Sequence, residues 1–205
     1  LVGSEMCIRD RSALIHAQDK LVMRKKLREL GAPVPAFAAI ESADDIAGFF
    51  EAVDGQVCLK ARRGGYDGKG VWFPATVDEA RELVEKLLDK EIPLMAEKKV
   101  ALVRELSAMV ARTPSGEVQA WPAVESLQED GICVEAVAPA PNSTPETLAA
   151  AEQLSRDVAT ELGVTGVLAV ELFETTDENG QPEIIVNELA TVSYTHLRAH
   201  ETDSY

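Results

Sequence analysis

Hydrophobic and polar positions along the chain follow two different periods. Met23, Leu27 and Leu30 recur at helical spacing, Gly31 offers a stop, and Pro33 and Pro35 stand beyond it, so a helix is predicted over Asp19–Leu30. Ser42-Ala-Asp-Asp45 opens a second helix with Ile46, Phe49, Phe50 and Val53 on one face. Thr76-Val-Asp-Glu79 is a capping box before a third, whose inner stripe is Ala80, Leu83, Val84, Leu87 and Leu88. Between these two helices, Val57–Ala61 and Val71–Phe73 are short β-prone runs. After Pro93 come a short apolar strand, Leu94–Glu97, and two longer ones, Arg104–Arg112 and Glu117–Val124, joined by Pro114-Ser-Gly116. A helix begins near Thr144 with Pro145 in its first turn, turns Leu154, Val158 and Leu162 inward, and ends at Gly163. Two strongly β-prone runs, Val167–Phe173 and Glu183–Ala190, complete the pattern, and the mixed order predicts an α+β fold.

Composition narrows the possibilities. A chain of 205 residues is long enough for one ordinary domain or two small lobes around a real core. A net charge of −15 argues against nucleic acid as a partner, because phosphate backbones want a basic surface. No run of 18 apolar residues exists, so no membrane span is expected. Cys7, Cys58 and Cys133 fit neither a metal spacing nor a disulfide framework, which points to a reducing, cytoplasmic setting. Leu1–Ser12 and Thr191–Tyr205 continue no neighbouring pattern and resemble translated read-through of sequencing adaptors. His196, His200 and Glu201 fall in that tail and are set aside as metal ligands, while His16 stands alone and is expected to be structural.

Candidate chemistry concentrates in Leu59–Phe73, where four residues are Gly and four are Lys or Arg. Glycines let backbone N–H groups approach an anion and the cations neutralise it, which is how proteins hold phosphate. Both flanks read as strands, so neither a dinucleotide loop nor a Walker loop fits, since each must open a helix. Lys60 followed by Arg-Arg-Gly-Gly-Tyr-Asp-Gly-Lys-Gly resembles the phosphate loop of the 5-(carboxyamino)imidazole ribonucleotide synthase family, ATP-grasp enzymes of purine biosynthesis. That resemblance assigns nucleotide contacts to Lys60, Gly65, Tyr66, Asp67, Gly68, Lys69, Gly70 and Val71. Gln18-Asp-Lys-Leu21 resembles a family segment whose cation reaches the phosphates, here Lys20; from the residues alone Lys20 is equally a solvated surface cation. Glu97-Lys98-Lys99-Val100 matches the hinge that meets adenine, Glu105 the ribose ligand, and Gln128 a further nucleotide contact.

A second constellation follows from the last two strands. Folding about Asn179-Gly180, the strongest short-range hairpin signal, pairs residues whose numbers sum to 359, as 171 and 188 do. Glu171 and Glu188 would then face each other within otherwise apolar strands, where like charges destabilise and a divalent cation relieves them. Carboxylate and phosphate oxygens together suit Mg²⁺. The resemblance agrees, giving Glu171, Asn187 and Glu188 as Mg²⁺–ATP ligands.

The resemblance covers Ala13–Ala190 and implies an ATP-grasp core of two α+β lobes. Its expected organisation is a non-native leader over 1–12, a small lobe with the phosphate loop over 13–93, a large lobe with hinge and metal site over 94–190, and a non-native tail over 191–205. The family's terminal domains and a Pro-Arg-x-His-Asn-Ser-Gly-His substrate segment are not found in this sequence, so the chain is expected to bind ATP without turnover. Implied for the parent is a homodimeric carbon–nitrogen ligase that carboxylates 5-aminoimidazole ribonucleotide with bicarbonate through carboxyphosphate. Its alternatives are another ATP-grasp ligase, such as a formate-using purine transformylase or a carboxylase, and a nucleotide-binding module without catalysis. No general base is assigned.

Overall fold

The computed structural model describes residues 11–64, 69–129, 132–177 and 180–191. Helix α1 spans Arg11–Gln18 and α2 Lys20–Glu29. Asp19 caps α2 by accepting hydrogen bonds from the Leu21 and Val22 N–H groups, and Gly31, at φ +74°, follows its end. The start of α1 departs from the expectation that 1–12 form no element; the remainder of that stretch, and 192–205, lie outside the described residues, while Thr191 closes the last strand.

Four strands, β1 (Phe37–Ile40), β2 (Val57–Ala61), β3 (Val71–Trp72) and β4 (Leu94–Lys98), form an antiparallel sheet in the order β1-β4-β2-β3. Helices α3 (Ala43–Ala52) and α4 (Val77–Leu88) cover one face, burying Ile46, Val84 and Leu87 against Ile40, Leu59 and Leu94. The α4 cap is a shifted version of the expected box: Thr76 accepts from the Glu79 N–H, but the Glu79 carboxylate reaches back to the N–H of Ala75. Because β4 pairs with β1 and β2, the passage between sheets falls after Lys98 rather than at the expected boundary, Pro93.

The second sheet holds β5 (Arg104–Arg112), β7 (Val124–Glu129), β8 (Ile132–Val137), β9 (Gly166–Thr176) and β10 (Pro182–Thr191) in the order β10-β9-β5-β7-β8, with β6 (Val118–Ala120) alongside β5. Helix α5 (Pro145–Glu161) packs Ala151 and Val158 on Leu106, Val110, Leu168 and Val170. The strand expected over Glu117–Val124 is two strands, since Pro122 has no N–H to donate and interrupts the ladder. Met23 and Leu27 of α2 bury themselves in this second core, so α2 belongs to the larger layer although it precedes the smaller one. Among the described residues no helix is long and apolar enough to cross a membrane.

The β9–β10 hairpin decides where the acidic residues point. Pro182 pairs with Thr176 and Val186 with Leu172, a sum of 358, so the connection is one residue longer than a two-residue turn about Asn179-Gly180. Gly180 sits at φ +75° with its N–H on the Asp177 carbonyl at 3.0 Å, the closing bond of a longer loop; Asn179 lies outside the described residues. A bulge between Val186 and Glu188 then shifts the register, and Glu188 pairs with Glu171 as expected. The buried positions record the shift, changing from Ile184 and Val186 before it to Leu189 after it. Asn187 and Glu188 consequently both face away from the α5 core, on the side where alternation along β9 also places Glu171 and Phe173.

Gly180→Ala isolates the conformational part of this arrangement, because an added Cβ there meets no atom within 4 Å among the described residues. Urea denaturation should show a loss of about 1 kcal/mol from the left-handed backbone alone. No loss, or a loss above about 3 kcal/mol, would contradict this reading of the loop.

Candidate functional site

Between the two sheets lies a cleft of about 690 Å³, within the ordinary range for small-molecule sites. Alternation along β2 buries Val57 and Leu59 under the helices and turns Cys58 and Lys60 into the cleft. The second sheet contributes Glu105, Gln128, Glu171, Phe173, Asn187 and Glu188, α2 presents Lys20 from its first turn, and the passage after β4 adds Lys99, Val100 and Leu102. Every described residue to which a nucleotide or metal role is assigned lines this cleft except Gly70, including Lys69, Val71, Glu97 and Lys98. Gly70 stands just behind, at φ +78°, accepting the Ala61 N–H at 2.8 Å. Gly65, Tyr66, Asp67 and Gly68 lie outside the described residues.

Buried ion pairs fix the cations. Glu97, 2% exposed, accepts from Arg24 Nε at 2.6 Å on one oxygen and from Lys60 Nζ at 2.6 Å on the other. Pairing places Glu97 opposite Cys58, so Lys60 is its diagonal neighbour on the same face. Burial pushes the Glu97 carboxyl up, but Arg24 and Lys60 outweigh this and hold it below the usual range. The Glu97 side chain is therefore a strut for Lys60, with both carboxylate oxygens engaged. Backbone at the hinge is equally committed: the Lys98 N–H donates to Ala36 and the Lys99 N–H to Gln56. Any hydrogen bond from these two residues to a ligand thus comes from their carbonyls or side chains.

Facing this cationic wall are the paired glutamates. Lys20 Nζ donates to Glu188, and Asn187 Nδ2 lies 3.5 Å from a Glu171 oxygen. Burial pushes the Glu171 carboxyl up, the charges of Glu188 and Glu105 add to this, and Lys20 and Lys60 only partly offset it. Glu105 is also raised, by burial. Among the described residues no group of three or more His, Cys, Asp or Glu is arranged to hold a metal. The oxygens of Glu171 and Glu188 with the Asn187 amide nevertheless suit a hard divalent ion whose remaining ligands come from phosphate and water. At the apolar part of the lining, Lys99 Nζ stands 5.6 Å from the centre of the Phe73 ring, and Val100 and Leu102 are nearby in sequence.

Sequence reasoning missed Asp19, Arg24, Phe73 and Phe173. Asp19 and Arg24 are charged residues on a helix dense in charge, and their burial depends on partners distant in sequence. Asp19 is 1% exposed; burial would raise its carboxyl, but hydrogen bonds from Arg62, the Val22 N–H and Arg63 lower it instead. Phe73 carried a signal, an aromatic residue directly after the strand that follows the glycine loop.

The chain matches the ATP-grasp domain family over residues 25–204. It is 60% identical over 191 residues to the N5-carboxyaminoimidazole ribonucleotide synthase of Corynebacterium ammoniagenes, covering 93% of this chain and 45% of that protein. Among solved structures, carboxyaminoimidazole ribonucleotide synthase from Aspergillus clavatus complexed with ATP is similar at a TM-score of 0.80 and 30% identity, over 90% of this chain and 47% of that one. The N5-carboxyaminoimidazole synthase of the same organism, in complex with ADP and 5-aminoimidazole ribonucleotide, gives a TM-score of 0.76 at 29% identity, over 87% of this chain and 45% of that one. The chain thus spans about half the length of the curated relatives it matches. With both sheets, the cleft between them and a match over most of its length, this chain belongs to the ATP-grasp family.

Proposed function

We propose that this chain is the ATP-holding part of a carbon–nitrogen ligase of purine biosynthesis, which carboxylates 5-aminoimidazole ribonucleotide with bicarbonate in the cytoplasm. The observation that carries the reading is the opposition of Glu171 and Glu188, with Asn187 and the Glu188-bound Lys20 beside them, across a cleft from Lys60. Similarity to N5-carboxyaminoimidazole ribonucleotide synthase at 60% identity supports the choice of acceptor. In the first step a bicarbonate oxygen attacks the γ-phosphorus, the bond to the β–γ bridging oxygen breaks, and ADP leaves with carboxyphosphate formed. In the second the substrate amine attacks the carboxyl carbon, inorganic phosphate departs, and the amine gives up a proton.

Phosphoryl transfer of this kind asks the protein chiefly for positioning and charge neutralisation. Lys60, braced by Glu97, and Lys20, at the start of α2, supply fixed positive charge to the phosphates. Phe73, Val100 and Leu102 shield the base from water. Glu171 and Glu188, with Asn187 beside them, would hold Mg²⁺, which would supply neutralising charge to the phosphates.

Glu171→Gln separates metal binding from folding. The native carboxyl holds its proton more tightly than the unfolded one, so stability falls as pH rises above the ordinary carboxylate range, and a neutral amide escapes that loss. In chelator at pH 7 the variant should melt about 2–4 °C above the unaltered chain, with the gap closing towards pH 4. Titration calorimetry with ADP should show that the same variant, like Glu188→Gln, has lost the Mg²⁺ dependence of binding. A pH-independent melting difference would refute the electrostatic account, and undiminished Mg²⁺ dependence in both variants would refute the metal assignment.

The acceptor is tested on the full-length parent. Bicarbonate-dependent ADP release should require 5-aminoimidazole ribonucleotide and should fall at least about a hundredfold in Lys60→Met, the scale of losing a fixed charge at the reacting phosphate. Release that depends instead on formate or another amine would reassign the enzyme within the family.

A further inference from the structure

We propose that Asp19 is a positioning residue for the phosphate end of the cleft, locking Lys20 to the chain that leaves β2 just beyond Lys60. The proposal rests on the nucleotide reading above and adds a residue that has no ligand contact of its own. Its carboxylate accepts five hydrogen bonds. Oδ1 takes the Leu21 N–H at 3.1 Å, the Val22 N–H at 3.2 Å and Arg62 Nε at 3.2 Å. Oδ2 takes Arg62 Nη2 at 2.8 Å and Arg63 Nε at 3.1 Å. A carboxylate offers about four lone-pair sites, so none remains for a nucleotide, and Asp19 can act only through what it holds.

What it holds are the two pieces of backbone that carry the phosphate-facing lysines. The Lys20 N–H donates to the Arg62 carbonyl at 2.9 Å, and the Arg62 N–H donates to the Pro93 carbonyl at 2.9 Å, at the threshold of β4. Helix α2 packs in the core of the larger sheet while β2 and β4 belong to the smaller one, so this junction joins the two layers. The paired Arg62 fork fixes direction as well as distance, because two parallel N–H···O bonds permit one orientation. A cavity of about 400 Å³ beside the junction is lined by Lys20, Arg62, Arg63 and Glu188, which places the lock against the same glutamate that faces Glu171. Capping α2 does not explain this construction, since Asn caps a helix about as well as Asp and needs no arginine.

That equivalence supplies the test. Asp19→Asn keeps the cap and removes the charge that binds the arginines, whereas Arg62→Gln keeps both the cap and the carboxylate. Calorimetric titrations of the 205-residue chain with Mg²⁺–ADP and with adenosine should show ADP affinity falling roughly tenfold to a hundredfold in either variant, the cost of misplacing a binding group by about 1 Å. Adenosine affinity should change by less than about twofold, and the double variant should lose little beyond either single one, since both break one lock. Unchanged ADP affinity in Asp19→Asn, or an equal fall for adenosine and ADP, would overturn the proposal. If Asp19→Asn fails to fold, Arg62→Gln decides by the same two criteria. An unaltered chain that binds adenosine and ADP equally weakly would overturn the nucleotide reading itself, a result distinct from failure of the lock.

Discussion

Two carboxylates held face to face across adjacent strands are the constraint on which the cleft depends. Glu171 and Glu188 oppose one another only because a bulge at Asn187 offsets a hairpin loop one residue longer than its turn signal suggests. Without the bulge, alternation would put Asn187 and Glu188 on opposite faces of β10, and one of them would enter the α5 core. With it, both accompany Glu171 into the cleft. The arrangement is unfavourable in isolation: burial first, and then the charges of Glu188 and Glu105, push the Glu171 carboxyl up. Such a site stores repulsion that a cation relieves, and strain of this kind persists where surrounding structure over-determines it.

The opposite wall is built on the reverse principle. Glu97 is buried between Arg24 and Lys60, and buried Asp19 accepts from Arg62 and Arg63, so the cations here rest on carboxylates with both oxygens engaged. Buried pairs of this sort contribute little net stability, because desolvation offsets attraction, but losing one partner is costly. Their return is geometric. Lysine is a flexible point charge, and Lys60 gains a defined position from Glu97 that its own rotamers would not supply. Helix α2 and its N-cap Asp19 carry residues of both clusters, and the helix packs on the larger sheet, which couples the two layers through charge.

Much of this was legible in the sequence. The caps at Thr76 and Thr144, the apolar stripes of α3, α4 and α5, and the strands flanking the glycine loop are local signals and form where they are read. The Glu171–Glu188 pairing was also legible, although by a count that ignored two compensating one-residue shifts. Adjacent polar residues Asn187-Glu188 interrupting an apolar strand were the available sign of the bulge. The buried ion pairs were not legible, because Arg24 meets Glu97 across 73 residues of chain and Asp19 meets Arg62 across 43. A charged residue on a basic helix reads as solvated until its partner is placed. The division at Pro93 failed for a related reason: a proline marks a break in the chain, and only strand pairing tells which sheet the following strand joins.

The most direct test of a metal held between Glu171 and Glu188 is anomalous scattering from crystals of this chain grown with ADP and Mn²⁺ in place of Mg²⁺. One peak should lie about 2.0–2.3 Å from oxygens of both glutamates and of the nucleotide phosphates, the bond lengths expected of a small hard cation. A manganese peak bonded to ADP alone, with both glutamates more than about 4 Å away, would contradict the account.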